Sequence, residues 1–253
     1  MINHKIYPVI FTWEEIDRIT NSKETMFIGN LNEAIVMHII QQLPHITECS
    51  YIKNPKQNRT QGDIRFKYNK QKHHIEVKTG AFFNNRYKLA IDTKYVHKYE
   101  PLRRYNLSTS VPWLNIRSYD LLAIVFSHRV YIIHSANAFL QEVYGEVKEV
   151  ITDNLIEQWY NSYDTPLFEG GTGSMNRNNP YYDTYQLNID LDIYLTKHNI
   201  KYTILEYDTK AILWPCISHF ASWTYKYSNT YTKTRRKANT KDFYYTKLYG
   251  KCI

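Results

Sequence analysis

Apolar positions recur along the chain with two different periods, and each period predicts a different type of element. From Asn30 to Pro44 apolar residues return every three to four positions, which is the spacing of an amphipathic helix that stops at the proline. A shorter helix is predicted after Thr12, because Thr12 and Glu15 have the spacing of a capping box. Over residues 63–80 apolar and polar positions alternate instead, which is typical of half-buried strands.

The same patterns predict the remaining elements. Strands are expected at "CSYIKN", "DIRFKY", "HHIEVKTG", "YDLLAIVF", "RVYIIH", "KYTILEY" and "KAILWPCI", and "NKQK" is expected to join the second and third of these as a hairpin. A helix is predicted in "SANAFLQEV", with Ser135 as its N-cap. The segment "NNRYKLAIDTKYVHKYEPLRRY" is predicted to be partly helical. Residues 161–185 are rich in Gly, Asn and Pro and are predicted to form a long loop.

This order of elements predicts the fold class and the division of the chain. We expect an α/β protein in which a mixed central β-sheet is flanked by helices. The 253 residues suffice for one sizeable domain or for one domain with an appended module. We predict a core with N-terminal helices over residues 1–160 and a second region over residues 161–253, which can also be integral to one domain.

Composition narrows the class of protein. No apolar run has the length of a membrane span, and the first residues lack the apolar stretch of a signal peptide, so a soluble cytoplasmic protein is expected. The three cysteines, Cys49, Cys216 and Cys252, are odd in number and far apart. They predict neither a disulfide framework nor a thiolate zinc site, so that oxygen or imidazole ligands are expected for any metal.

The positive charge is concentrated in the C-terminal tail. The formal net charge is +8, and the segment from Trp223 to Ile253 contains eight basic residues and one acidic residue, interleaved with aromatic residues. Such a surface suits a nucleic acid, whose phosphates meet Lys or Arg and whose bases meet rings. A solvated basic strand or helix is the alternative. The predicted DNA-binding residues are Lys226, Lys233, Arg235, Arg236, Lys237 and Lys241.

Three ionisable residues on adjacent predicted strands could carry chemistry. Asp63 begins one strand, and Glu76 and Lys78 lie two positions apart on its hairpin partner. Because the apolar neighbours must face the core, these three side chains should project together from the other face. Two carboxylates at one place favour a hard divalent cation such as Mg²⁺, and a lysine beside it can orient or deprotonate a water.

Simpler interpretations exist for each of these residues. Asp63, Glu76 and Lys78 could form a solvent-exposed charge network across two strands. Two histidines begin the second strand: His73 is interpreted as turn surface and His74 as a candidate phosphate or water contact.

The motifs "QGDIRF" and "IEVKTG" resemble those of the PD-(D/E)XK nuclease superfamily, most closely of type II restriction endonucleases. The resemblance covers roughly residues 30–140 and implies a restriction-endonuclease-like core. It places Asp63, Glu76 and Lys78 as catalytic residues. Asp63, Glu76 and the main-chain carbonyl of Val77 are then the expected metal ligands.

Two further positions bear on this resemblance. Glu33 matches the place of an additional acidic ligand on the helix before the first core strand. It could equally be a first-turn residue that pairs with Asn30 at the helix N-terminus. The family pattern has a proline before the first acidic residue, whereas Gly62 precedes Asp63 in this chain.

The resemblance implies an Mg²⁺-dependent DNA endonuclease, in which Mn²⁺ can substitute. Because over a hundred residues follow the presumed core, we expect sequence-specific cleavage of double-stranded DNA by a homodimer, as in a bacterial or phage restriction system. One alternative is a structure-specific nuclease, such as a Holliday junction resolvase, a phage recombination nuclease or a homing-type nuclease. Another alternative is a catalytically inactive nucleic-acid-binding protein on the same fold.

Overall fold

The computed structural model describes residues 5–22, 24–54, 57, 61–83, 85–97, 120–150, 165–176 and 182–208. The helices in these ranges are α1 (Trp13–Thr20), α2 (Glu24–Gln41), α3 (Ala136–Val150) and α4 (Leu191–Lys197). The strands are β1 (Ile6–Pro8), β2 (Ile46–Tyr51), β3 (Ile64–Tyr68), β4 (Gln71–Thr79), β5 (Ala81–Phe83), β6 (Arg86–His97), β7 (Leu121–Val125), β8 (Arg129–Ile133), β9 (Thr165–Phe168), β10 (Gly171–Asn176), β11 (Tyr182–Asp190) and β12 (Tyr202–Asp208). None of these helices is long and apolar enough to cross a membrane.

A seven-stranded mixed sheet is the centre of the fold. Its strand order is β1-β12-β8-β7-β4-β3-β2. The pairs β4–β7 and β1–β12 are parallel, and the other neighbours are antiparallel. The expected mixed α/β architecture, with helices against a mixed sheet, is therefore confirmed. The helix predicted after Thr12 is also present, and both hydrogen bonds of its capping box are formed.

One face of this sheet packs against α1 and α2. Ile64 of β3 and Ile75 of β4 are fully buried there, together with Ile35 and Ile39 of α2. The alternating pattern along the two strands explains this packing, because every second side chain of a strand points to the same face. We call this side the helical face.

The opposite face of the sheet is covered over only part of its width. Leu122 and Ile124 of β7 are buried there against Phe139 of α3, Leu89 of β6 and Leu187 of β11. No described residue of β3 or β4 belongs to this second cluster. We call this side of the β3–β4 pair the open face.

A second sheet shares that cover with α3 and α4. It has five antiparallel strands in the order β5-β6-β11-β10-β9. In chain order, β5 and β6 follow β4, and the other three strands follow α3. Meanwhile β12 pairs with β8 in the first sheet. Residues 165–208 thus extend both sheets, and the boundary near residue 160 stays a prediction.

Two of the predicted segments differ from the structure. The described part of the segment expected to be partly helical contains the 12-residue strand β6, in which Tyr87, Leu89 and Ile91 are buried at alternate positions, and residues 98–105 of that segment lie outside the described residues. The long loop expected over residues 161–185 contains β9, β10 and the start of β11. A tight turn at Glu169 and Gly170, where Gly170 has a φ of 83°, folds β9 onto β10. The strand predicted at "KAILWPCI" lies outside the described residues.

Gly80 is expected to be essential for the packing after β4. A Cβ atom on Gly80 would lie 2.2 Å from Cε1 of Phe126, whose buried ring packs edge-on against Tyr87 and Tyr131. The ring has no free space to move, so Gly80→Ala should destabilise the protein by about 1–3 kcal/mol. Urea unfolding followed by circular dichroism measures this change.

Gly29 provides the matched control for this substitution. It lies on the exposed side of α2, and a Cβ there would meet nothing within 4 Å. Gly29→Ala should therefore stabilise the protein by about 0.5–1 kcal/mol, since alanine is the better helix former. Equal effects of the two substitutions would contradict the proposed packing role of Gly80.

Candidate active site

The β3–β4 hairpin determines where the three predicted catalytic residues lie. Ile64 is paired with Ile75, so that Asp63, one residue before β3, lies beside the middle of β4. Glu76 and Lys78 alternate with the buried residues Ile75 and Val77. Their side chains consequently lie on the open face, as the sequence predicts.

Asp63 is fixed by three hydrogen bonds. Its N–H donates to the carbonyl of Ile75 at 2.9 Å, and its carbonyl accepts from the N–H of Ile52 at 2.8 Å. Its Oδ2 accepts from the N–H of Val77 at 2.8 Å. The carboxylate is therefore held against the β4 backbone, between the positions of Glu76 and Lys78.

Gly62 precedes Asp63 and has a backbone conformation that excludes proline. Its φ is 87°, a value that the proline ring cannot adopt. A Cβ at this position would also lie 2.7 Å from the carbonyl oxygen of Ile75. The backbone before Asp63 approaches β4 too closely for any side chain, and glycine is the residue that permits this approach.

Lys78 and Glu76 form an ion pair, in which the ammonium Nζ donates to Glu76 Oε1. The side chains are 31% and 13% exposed, respectively. Such partial burial strengthens the attraction between the two charges relative to a surface pair. Because the Glu76 side chain is mostly buried, the interpretation as a solvent-exposed charge network fits it less well.

Glu33 joins the same group of charges from α2. Burial raises the pKa of Glu33, the negative charge of Asp63 raises it as well, and Glu76 adds a smaller effect in the same direction, so that the pKa lies at about 7. Arg18, whose Nη1 lies 2.9 Å from Glu33 Oε2, opposes these effects. Three carboxyl groups therefore act on one another at this place.

The alternative role of Glu33 at a helix N-terminus is wrong. Helix α2 begins at Glu24, so Glu33 lies in the helix interior. Its partner is Arg18 of α1, which also donates to the carbonyl of Asn30 at 3.1 Å and stacks on the ring of Tyr51 at 4.0 Å.

The main-chain carbonyl of Val77 points toward Asp63. In a strand, the N–H and C=O of one residue face the same neighbouring edge. Because the Val77 N–H donates to Asp63, its carbonyl faces that edge as well. In the described ranges no three His, Cys, Asp or Glu side chains are grouped closely enough to hold a metal ion as placed.

Sequence reasoning missed two residues that support the site. Asn32 is fully buried on α2, and its Nδ2 donates to Oγ1 of Thr79 at 2.8 Å. This bond fixes α2 against the end of β4, next to Lys78. An asparagine among the apolar residues of "NLNEAIVMHII" was the available signal, because a buried amide requires a partner. Arg18 gave no comparable signal, since a basic last turn is common in helices.

The two histidines lie within β4 and not in a turn, so the interpretation of His73 as turn surface is wrong. His73 stacks on Phe66 with ring centroids 5.6 Å apart. Burial lowers the pKa of His74, and the charges of Lys72 and Arg65 lower it further, against an opposing effect of Asp120. The tail residues Lys226, Lys233, Arg235, Arg236, Lys237 and Lys241 lie outside the described residues.

Glu33 should make the stability of the protein depend on pH. Its pKa is 4.5 in the unfolded chain and about 7 in the folded protein, so the folded state retains a proton that the unfolded state loses. The resulting stability is complete below pH 4.5 and is lost as the pH rises through about 7. The uncharged variant Glu33→Gln should therefore gain stability relative to the wild type with rising pH. Urea unfolding at about pH 5 and about pH 8 measures this difference, and an unchanged difference would contradict the assignment.

Comparison with known proteins adds no family to these observations. No protein-family model matches the chain, and no curated protein and no solved structure matches it either. The resemblance to PD-(D/E)XK nucleases rests on the motifs around Asp63 and Glu76 alone.

Proposed function

We propose that this protein is an Mg²⁺-dependent endonuclease that hydrolyses phosphodiester bonds of double-stranded DNA. The observation that carries the proposal is the group of carboxylates Glu33, Asp63 and Glu76 beside Lys78, in which burial and then the charges of the other two carboxylates raise the pKa of Glu33 to about 7. Carboxylates that lie together in a partly buried site repel one another and lower the stability of the folded protein. A bound cation compensates for this repulsion.

The order of elements supports a restriction-endonuclease-like core. Helix α2 precedes the strands β2, β3 and β4, and the later strand β7 pairs with β4 in parallel. This is the arrangement that the resemblance implies, with an acidic residue on the preceding helix. The second sheet, formed by segments after β4 and after α3, is additional to that core.

The donor groups fit a hard divalent cation. Asp63, Glu76 and the Val77 carbonyl, with Glu33 as a further candidate, would hold it, and all of these ligands are oxygen atoms. A bound Mg²⁺ supplies a Lewis acid that stabilises negative charge on the phosphate.

The protein side chains have distinct roles in this proposal. Lys78, held by Glu76, orients or deprotonates the attacking water and stabilises charge on the phosphate. Asp63 keeps its position through the Val77 N–H. Arg18 limits the repulsion that Glu33 exerts on the other two carboxylates.

Sequence-specific cleavage by a homodimer is the preferred subtype. The second sheet and the basic tail provide more chain than catalysis alone requires. A symmetric dimer is the simplest arrangement that cuts both strands of a duplex and matches a palindromic site.

Plasmid digestion tests the activity. With Mg²⁺ the wild type should give discrete fragments from linear duplex DNA, and EDTA should prevent this. Asp63→Asn, which keeps an oxygen acceptor for the Val77 N–H, and Lys78→Ala should each reduce the cleavage rate by at least about 100-fold. Both variants should still bind DNA in a filter-binding assay.

Lys197→Ala is the control, because Lys197 also pairs with a glutamate, Glu146 at 3.5 Å, but belongs to α4. Its cleavage rate should equal that of the wild type. Cutting confined to a four-way junction would favour a structure-specific nuclease. A wild type that binds DNA without any Mg²⁺-dependent cleavage would contradict the endonuclease proposal.

Mg²⁺ should also stabilise the folded protein, independently of activity. At about 100 times its Kd, a ligand that binds the folded state alone adds about 2.7 kcal/mol. Thermal unfolding with and without Mg²⁺ should show an increase in Tm for the wild type and for Lys197→Ala, and a smaller increase for Asp63→Asn. An identical Mg²⁺ effect in Asp63→Asn would refute the role of Asp63 as a ligand.

A further inference from the structure

Three cationic side chains share the open face of the β3–β4 hairpin, and we call them the cationic row. They are Arg65, Lys67 and Lys72. Arg65 is paired with His74 and Lys67 with Lys72 across the two strands. The row begins at the turn of the hairpin and leads along β4 to Glu76 and Lys78, a distance of about 20 Å at the rise of a strand.

The charges of the row are poorly compensated. Arg65 and Lys72 are exposed. Lys67 pairs with Glu48 at 2.6 Å, and in the described part of the chain Glu48 is the one carboxylate that forms an ion pair with these three side chains. Arg65 donates through Nε to the hydroxyl of Ser50 at 3.0 Å, which orients its guanidinium without neutralising it.

The pairing of Lys67 with Lys72 is unfavourable for the folded protein by itself. Like charges directly opposite one another on two strands destabilise a sheet. Among the described residues, the buried apolar cluster on this side contains β7 and β8 but neither β3 nor β4, and Arg65 and Lys72 are exposed. An arrangement that costs stability and faces outward suits an anionic partner.

A groove of about 480 Å³ lies beside the row. Arg65, Lys67 and Lys72 line it together with Phe66 of β3 and with Glu48, Cys49 and Ser50 of β2. Three cations and one carboxylate therefore line a concave surface with a net positive charge, on the strand pair that also positions Glu76 and Lys78. A chain of regularly spaced phosphates matches such a surface better than an isolated anion does.

We propose that the cationic row binds the phosphate backbone of duplex DNA and guides it to the site of Asp63, Glu76 and Lys78. The choice of DNA as the polyanion rests on the proposed endonuclease function. These contacts position the backbone and carry no sequence information. The residues of the row are other than those predicted from the sequence for the basic tail.

The test compares two double variants of the full chain that lose the same charge. Arg65→Gln with Lys72→Gln removes two members of the row. Lys5→Gln with Lys201→Gln removes two exposed lysines beside β1 and β12, at the opposite side of the first sheet. Binding of a labelled duplex is measured by fluorescence anisotropy in EDTA at several salt concentrations, so that no cleavage interferes. Circular dichroism verifies that both variants are folded.

Each lost phosphate contact should lower the slope of log Kd against log salt by about 0.9. The slope of the row variant should therefore be about 1.8 lower than that of the wild type, and its Kd near 0.1 M salt should be roughly 60-fold higher. The control variant should keep the slope of the wild type. Equal slopes for the two double variants overturn the proposal. A wild type that binds polyglutamate but not duplex DNA overturns it as well and assigns the row to an acidic peptide.

Cleavage and binding assays on the wild type and the two double variants distinguish this proposal from the endonuclease proposal. If the wild type cuts DNA with Mg²⁺ while both double variants bind it equally, the role of the row is wrong and the endonuclease proposal stands. If the row variant loses affinity as expected while the wild type never cuts DNA, the row binds DNA and the endonuclease proposal is wrong.

Discussion

The hydrogen bond from the Val77 N–H to the Asp63 carboxylate is the contact on which the candidate site depends. It lies where the pairing of β3 with β4 ends, and it requires both the register of Ile64 with Ile75 and the positive φ of Gly62. A shift of the register by one residue would turn Glu76 and Lys78 toward α2 and bring their apolar neighbours to the open face. The burial of Ile64 and Ile75 therefore maintains the strand register that keeps Glu76 and Lys78 on the open face.

A second network holds α1 and α2 in the position that this geometry needs. Glu15 of α1 accepts hydrogen bonds from Thr12, from His38 of α2 at 2.7 Å and from Tyr51 of β2 at 2.7 Å. Burial disfavours the charge of Glu15, but these bonds outweigh burial and lower its pKa to about 2. The carboxylate thus joins two helices to the sheet.

The central sheet is covered unequally on its second face, and the candidate site lies where the cover ends. The second sheet and α3 bury the face of β7 and β8, and this cover does not include β3 and β4. The carboxylates and Lys78 consequently lie at the border between a dry region, where charges interact strongly, and an open one that a large anion can reach. The proposed endonuclease function requires both properties in one place.

The sequence by itself determined the local elements and the composition of the site. The capping box of α1, the hairpin of β3 and β4 and the alternation that places Asp63, Glu76 and Lys78 on one face all depend on neighbouring residues. The tertiary structure alone decided the second sheet, because β6 pairs with β11, about 90 residues later in the chain, and no local pattern records such a partner. It also decided the environment of Glu33, whose pKa depends on Arg18, Asp63 and Glu76. Charge and burial act through space, so their effects follow from which strands and helices meet and not from spacing along the chain.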